Sequence, residues 1–309
     1  MRTLTFACST LLFLPLLSLE ALVNPVDQSQ PESSVHSEVE INHQVENVSE
    51  DPSTFAADNT GWSNSNNEIE DVKLQLQNIR QRNFTPSRGV PSLTIANPYG
   101  FGSDRGFYSG LSYQFSNRNE GEDSDDATAG FGMGFGNAQK LVGAELSYTM
   151  ASFGQTNRSF GSGAFNFKLH RHIGNGWGIA AGWNNFLSVG DGTDSDDSLY
   201  LSTTKILKLR DKVSSPFSRM AVTAGIGNGQ FRTEDDINND NNSFNPFGSV
   251  AFRVARPVSF VTEWTGQDLA MGLSASPFRT LPLTLNFGAR DIAGAGDGVR
   301  FIFGIGTGF

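Results

Sequence analysis

The chain has a single cysteine, Cys8, close to its start. Everything after it is free of thiols, which removes disulfides, thiolate metal sites and cysteine nucleophiles from the body of the protein. Histidines number four, and two of them, His36 and His43, stand in a polar acidic tract, so imidazole-based metal or triad chemistry has little to draw on. Basic residues are scarce, 22 Lys and Arg against 32 Asp and Glu, for a net charge of -10. That balance argues against nucleic acid as a partner. Long apolar runs are missing as well. Beyond the amino-terminal stretch none approaches the roughly 18 residues a spanning helix requires, and mean hydropathy is -0.28. A helical membrane protein is thereby excluded, but a membrane barrel is not, because only every second residue of its strands meets lipid.

What the chain does have is glycine, 34 residues, and phenylalanine, 25 residues, in a length of 309. At the amino terminus Arg2 precedes a mostly apolar stretch over 4–19, then Glu20 and Ala21. This is the layout of a cleaved secretory signal peptide over 1–21. Cys8 lies inside its apolar core with no small-residue context after it, so no lipoprotein signal is read. From 22 to 66 every formal charge is acidic and Ser, Asn and Gln fill much of the remainder. Such a segment has too little apolar surface to offset its ordering entropy, and disorder is expected. Over 67–83 the residues Ile69, Val72, Leu76 and Ile79 form one helical stripe. Glu68, Glu70 and Asp71 lie in the first turn and Arg80 and Arg82 in the last, matching the helix dipole. A short amphipathic helix is expected, able to pair as a coiled coil, to dock on a partner or in the mouth of a barrel, or simply to serve as a spacer. Pro86, Gly89, Pro91, Pro98 and Gly100 then mark an irregular linker over 84–105.

From 106 to 309 the pattern changes to period two. Phe131, Met133 and Phe135 alternate with glycines; Ala144, Leu146 and Tyr148 oppose Gly143, Glu145 and Ser147; Phe165, Phe167 and Leu169 oppose Asn166, Lys168 and His170. About twelve such segments can be traced, the eleventh through Leu281, Leu283, Leu285 and Phe287. The sixth is the least regular, because Lys205 falls on its apolar parity. The last, 298–309, sets Phe301, Phe303, Ile305 and Phe309 against Arg300, Gly304, Gly306 and Gly308. This segment resembles the closing strand of Gram-negative outer-membrane β-barrels, in which alternating hydrophobics run to a carboxy-terminal Phe. The resemblance implies that the barrel-assembly machinery reads Phe309, Ile305, Phe303 and Phe301.

Connection lengths supply an independent test. If both chain ends lie in the periplasm, odd-numbered connections face outward and are longer. Those at 116–126, 187–196 and 229–244 are long and acidic, whereas 137–140, 171–175 and 256–257 are short. Two depart from the trend, a long inner turn at 211–216 and a short outer one at 266–267. A soluble sandwich also alternates, but acidic runs on one rim and aromatics near strand ends suit a membrane better. The expected fold is all-β: a transmembrane antiparallel up-and-down barrel of about 12 strands, preceded by a disordered segment and a short helix.

On the inward parity stand Glu145, Lys168, His170, Tyr200, Lys208, Arg219, Arg253, Glu263, Asp268, Arg290 and Arg300. Charge there is costly toward lipid, so these residues should face water or one another. One reading is a selectivity lining for anionic or sugar solutes, the other a network of paired charges filling a narrow lumen. No nucleophile elbow occurs, since 159–163 lacks the spacing, and His170 with His172 gives thin support for a triad. The protein is not expected to be an enzyme, and no cofactor or metal is called for. Stretches 190–197 and 236–240 resemble calcium loops only faintly, the second lacking the required Gly and Glu. The hairpin 263–274, with Glu263, Trp264, Gly266 and Asp268, resembles that of exopolysaccharide-associated barrels. The expected function is a small outer-membrane porin for hydrophilic solutes. The alternative is a non-conducting envelope barrel that binds a periplasmic partner through its helix.

Overall fold

The computed structural model describes residues 89–115, 126–151, 159–191, 196–212, 214–295 and 298–308. The signal peptide, the acidic segment, the helix with Ile69, Val72, Leu76 and Ile79, and Phe309 all lie outside the described residues. Twelve strands succeed one another: β1 (Gly106–Phe115), β2 (Asp126–Gly136), β3 (Gly143–Met150), β4 (Gly163–Gly174), β5 (Trp177–Val189), β6 (Ser198–Lys208), β7 (Arg219–Gly227), β8 (Asn245–Ala255), β9 (Val258–Trp264), β10 (Leu269–Ala275), β11 (Leu283–Arg290) and β12 (Arg300–Gly308). Each pairs antiparallel with its sequence neighbours, and β12 pairs with β1, which closes the barrel. Closure leaves no unpaired edge, so every strand has main-chain partners on both sides.

Alternation decides which way each strand faces. Along β2, Phe131 and Met133 are exposed while Gly130 and Gly132, which alternate with them, are buried. On β12, Phe301 and Phe303 are exposed and Ile302 is buried. The same holds for Leu111 on β1, Leu201 on β6 and Leu273 on β10, so the outer surface is an apolar band. Register joins that band across the seam, with Phe303 opposite both Tyr113 and Phe287. Lys205 is explained by its place beside the turn between β4 and β5. Its ammonium donates to the Asn175 carbonyl and lies 5.0 Å over the Trp177 ring, so an outward lysine reaches polar partners at the rim.

The tight connections between β4 and β5 and between β8 and β9 share one rim with the turns after β2, β6 and β10. The opposite rim carries the long connections, including 228–244, where a single 3-10 turn (Gly229–Phe231) leads into α1 (Glu234–Asn238). The strand expected over 281–287 is displaced: β11 runs Leu283–Arg290, and Leu281 belongs to the preceding turn. Apolar parity continues through both, so it cannot mark where pairing begins. Between β9 and β10 the outer connection is a tight turn at 265–268, closed by Thr265 N donating to the Asp268 carbonyl at 3.0 Å. Gly266 sits there at φ +97°, a backbone that only glycine adopts without strain.

Candidate functional site in the barrel lumen

Residues 89–105 have neither helix nor strand, yet Val90, Leu93, Tyr99 and Phe101 are buried. No charged residue occurs from Gly89 to Ser103. These residues occupy the inside of the barrel. An unpaired main chain in such a place has to be satisfied by side chains, and the inner face of the barrel supplies them. At the short-turn rim Thr284 Oγ1 donates to the Val90 carbonyl at 3.0 Å, and Ser92 N donates to Ser274 Oγ at 2.7 Å. Farther along, the Glu263 carboxylate accepts three consecutive amides, from Ile95 at 2.8 Å, Ala96 at 2.7 Å and Asn97 at 3.1 Å. Asn97 Nδ2 then donates to the carbonyls of Trp264 at 2.7 Å and Gly248 at 3.2 Å, a register pair toward the long-loop end of β8 and β9.

Here the chain turns back. Gly100 N donates to Thr204 Oγ1 at 2.9 Å, Lys168 Nζ donates to the Phe101 carbonyl at 2.5 Å, and Ser103 N donates to Glu145. Asp104 Oδ1 accepts from Ala138 N at 2.9 Å and meets His170 Nε2 at 3.1 Å. Ala138 belongs to the turn between β2 and β3, so the segment leaves at the rim where it came in, and β1 begins. Residues 89–105 therefore form a loop inside the lumen. Of the linker expected over 84–105, the described part from Gly89 has neither helix nor strand and is packed within the barrel.

Packing fixes the loop as firmly as polar contacts do. Val90, Leu93, Tyr99 and Phe101 cluster with Ile206, Ala221, Ala251 and Val261, inward residues of β6 to β9. Fully burying side chains of this kind contributes roughly 1.5–3 kcal/mol each. Lys168 Nζ lies 4.9 Å above the Tyr99 ring, and Phe101 meets His172 edge-on at 5.1 Å. The loop passes so close to β5 that a Cβ on Gly178 would stand 2.5 Å from the Gly100 carbonyl oxygen. Only glycine permits that approach.

Above the loop, the outer mouth is occupied too. Phe231, from the 3-10 turn, stacks on Phe247 at 4.3 Å and meets Tyr200 at 6.2 Å, all three buried. Arg232 pairs with Asp196, and Gln267 Nε2 donates to Glu234 at 3.1 Å, tying the 228–244 connection to its neighbours. Asp236 accepts from Ser243 Oγ at 2.6 Å, Thr233 Oγ1 at 2.8 Å and Asn245 Nδ2 at 3.0 Å. These donors hold its carboxyl at about 2, below the ordinary 3.8. In this stretch, with its faint likeness to a calcium loop, Asp236 is engaged in building the connection. Among the described residues no three acidic or imidazole side chains gather to hold a metal ion.

Apart from Glu263, the buried inward ionic residues fall into three groups. Glu145, Lys168 and His170 hold the descending limb of the loop, with Lys168 Nζ 3.7 Å from Glu145. Asp268 is fully buried between two arginines, 2.5 Å from Arg300 and 3.4 Å from Arg290, and accepts from Thr265 Oγ1 at 2.9 Å. Arg219 and Arg253 are buried near the short-turn rim, where Arg219 Nη1 donates to the carbonyls of Arg210 at 2.6 Å and Ser218 at 2.8 Å. Tyr200 is inward, within the aromatic cluster. Lys208 departs from expectation: it is half-exposed and pairs with Asp211 at 3.0 Å on the rim. Beside the ascending limb remains a cavity of about 60 Å³, lined in part by Ser92, Thr94, Tyr108, Ser112, Asn286 and Ile302. Its lining is mixed, with hydroxyl and amide groups that can partner water beside the apolar Ile95, Val261 and Ile302.

Sequence parity places the charges but offers no sign that the lumen is filled by the chain's own linker. One signal was available: Val90, Leu93, Ile95, Tyr99 and Phe101, without any intervening charge, are too apolar for a solvated connector.

A closed antiparallel barrel with an apolar exterior and a polar interior is the architecture of outer-membrane β-barrels, the class that includes porins and channels. Among solved structures the chain is similar in fold to the KdgM porin, alone and in complex with disordered oligogalacturonate. Each match has a TM-score of 0.38 and 9% identity, over 65% of this chain and 99% of the other. It is similar also to an outer membrane channel from Pseudomonas putida F1, with a TM-score of 0.37 and 10% identity over 69% of this chain and 99% of that one. No family model and no curated protein matches the chain.

Proposed function

We propose that the protein is an outer-membrane channel of porin type for small hydrophilic solutes, with a lumen closed in this state by residues 89–105. The observation that carries this reading is the closed barrel whose outward side chains are apolar and whose inward ones are polar or charged. Such an inner face suits a lumen that water or a solute enters, since charge is costly toward lipid. Its ionic residues serve the wall and the loop together, and no enzymatic role is assigned to them. Secretion through a cleaved leader over 1–21 and insertion with recognition of Phe301, Phe303, Ile305 and Phe309 by the assembly machinery belong to the same proposal. The test is conductance of the purified full-length protein in a planar lipid bilayer. Discrete ion-conducting steps are expected; their absence across a wide range of salt concentrations would overturn the reading.

A second reading has its own supporting observation. Ionic and aromatic side chains, the loop and Phe231 bury most of the inner face, which favours a non-conducting envelope barrel. In that reading the stripe of Ile69, Val72, Leu76 and Ile79 binds a periplasmic protein. A silent bilayer, together with loss of a periplasmic partner when 67–83 is deleted, is the outcome it requires.

A further inference from the structure

Glu263 is buried on β9 and accepts the amides of Ile95, Ala96 and Asn97. Among the described residues every hydrogen bond to its carboxylate comes from the intraluminal loop. The loop itself uses no sheet pairing: barrel side chains satisfy Val90 O, Ser92 N, Gly100 N, Phe101 O and Ser103 N one at a time. Both of its ends lie at the short-turn rim, so it can be withdrawn toward that side as a bight, without threading a free chain end through the barrel. Withdrawal breaks no strand ladder. It bares a row of inward donors and acceptors with Glu263 at the far end.

We propose that residues 89–105 are a tethered occupant of a solute site centred on Glu263, and that the solute taken there is an uncharged polyhydroxylated molecule. The proposal rests on the channel reading above. Three donors directed at one carboxylate can be replaced by vicinal hydroxyl groups, which present several donors on a short stem. The charge around the site selects for neutrality. Asp268, Arg290 and Arg300 form a mutually paired group next along the wall, and with Glu263 the formal charges sum to zero. The loop that fills the site is likewise uncharged from Gly89 to Ser103. A cation would suit Glu263 but meet the two arginines, and an anion the reverse.

The test joins a reversible clamp to a binding readout. Ser92→Cys with Ser274→Cys, in a Cys8→Ser background, sets two thiols on residues already joined by the Ser92 N to Ser274 Oγ hydrogen bond of 2.7 Å. Retained heat-modifiable gel mobility identifies folded protein. In planar bilayers the oxidised clamp should be closed, and reduction of the same membrane should restore conductance. Arabinose added to the reduced protein should interrupt the ion current, and Glu263→Gln should weaken that interruption by roughly tenfold or more, the effect of one or two strong hydrogen bonds. Conductance unchanged by oxidation would show that the loop does not occupy the route. Interruption by arabinose that is absent, or that survives Glu263→Gln, would remove the solute site. Silence of the wild-type and reduced proteins alike would instead sink the channel reading itself, so the two failures are distinguishable.

Discussion

Glu263 and Asp268 stand on the same hairpin, face the same interior, and are satisfied in different ways. Glu263 is met by main-chain amides of a loop, Asp268 by two arginines of the wall. Removing one partner from a buried ion group leaves the others desolvated and unmatched, which costs about 3–5 kcal/mol. Asp268→Asn should therefore lower unfolding stability in detergent by about that much, measured by urea denaturation followed through tryptophan fluorescence. A loss below about 1 kcal/mol would mean that Arg290 and Arg300 find other partners. Parity puts each of these side chains on the inner face, and that much is legible in the sequence. Whether an inward carboxylate meets a solute, another strand or the chain's own linker depends on contacts between residues far apart, such as Ala96 and Glu263. No local pattern carries that information.

At the scale of elements, strands were the most legible feature because their alternation is a direct consequence of backbone geometry. Boundaries were less so: β11 begins later than its apolar parity does. Least legible was the loop over 89–105, where Pro and Gly announce irregular chain but say nothing about its surroundings. The 228–244 connection shows what organises an outer loop. Thr233 caps α1 by a capping box with Asp236, whose carboxylate also binds Ser243 and Asn245. Because its pKa falls from 3.8 to about 2 in the folded state, the stabilisation is fully present above 3.8 and is lost as pH drops through about 2. Hydrogen exchange should find the Thr233 and Asp236 amides protected near neutral pH and unprotected below about pH 2, while Asp236→Ala should expose them throughout. Protection unchanged into strong acid would contradict this role of Asp236 in the loop.

For the whole molecule, the apolar band and the filled polar interior argue as a pair. In water the exposed Phe107, Leu111, Phe131, Leu201, Phe287 and Phe301 would form a surface too apolar for a dispersed monomer. In lipid the same surface is solvated, and the charges it excludes are gathered inside. Composition argues against helical spans, disulfides and nucleic acid, and the even count of strands with unequal rims is legible in periodicity and loop length. The occupied lumen came only with tertiary contacts. A closed barrel spanning a membrane is tested most directly by gel mobility of the membrane fraction in sodium dodecyl sulfate, with and without boiling. The protein should be found with the outer membrane, and its unboiled band should migrate ahead of the boiled one. A soluble protein whose mobility is the same before and after boiling would contradict the membrane barrel.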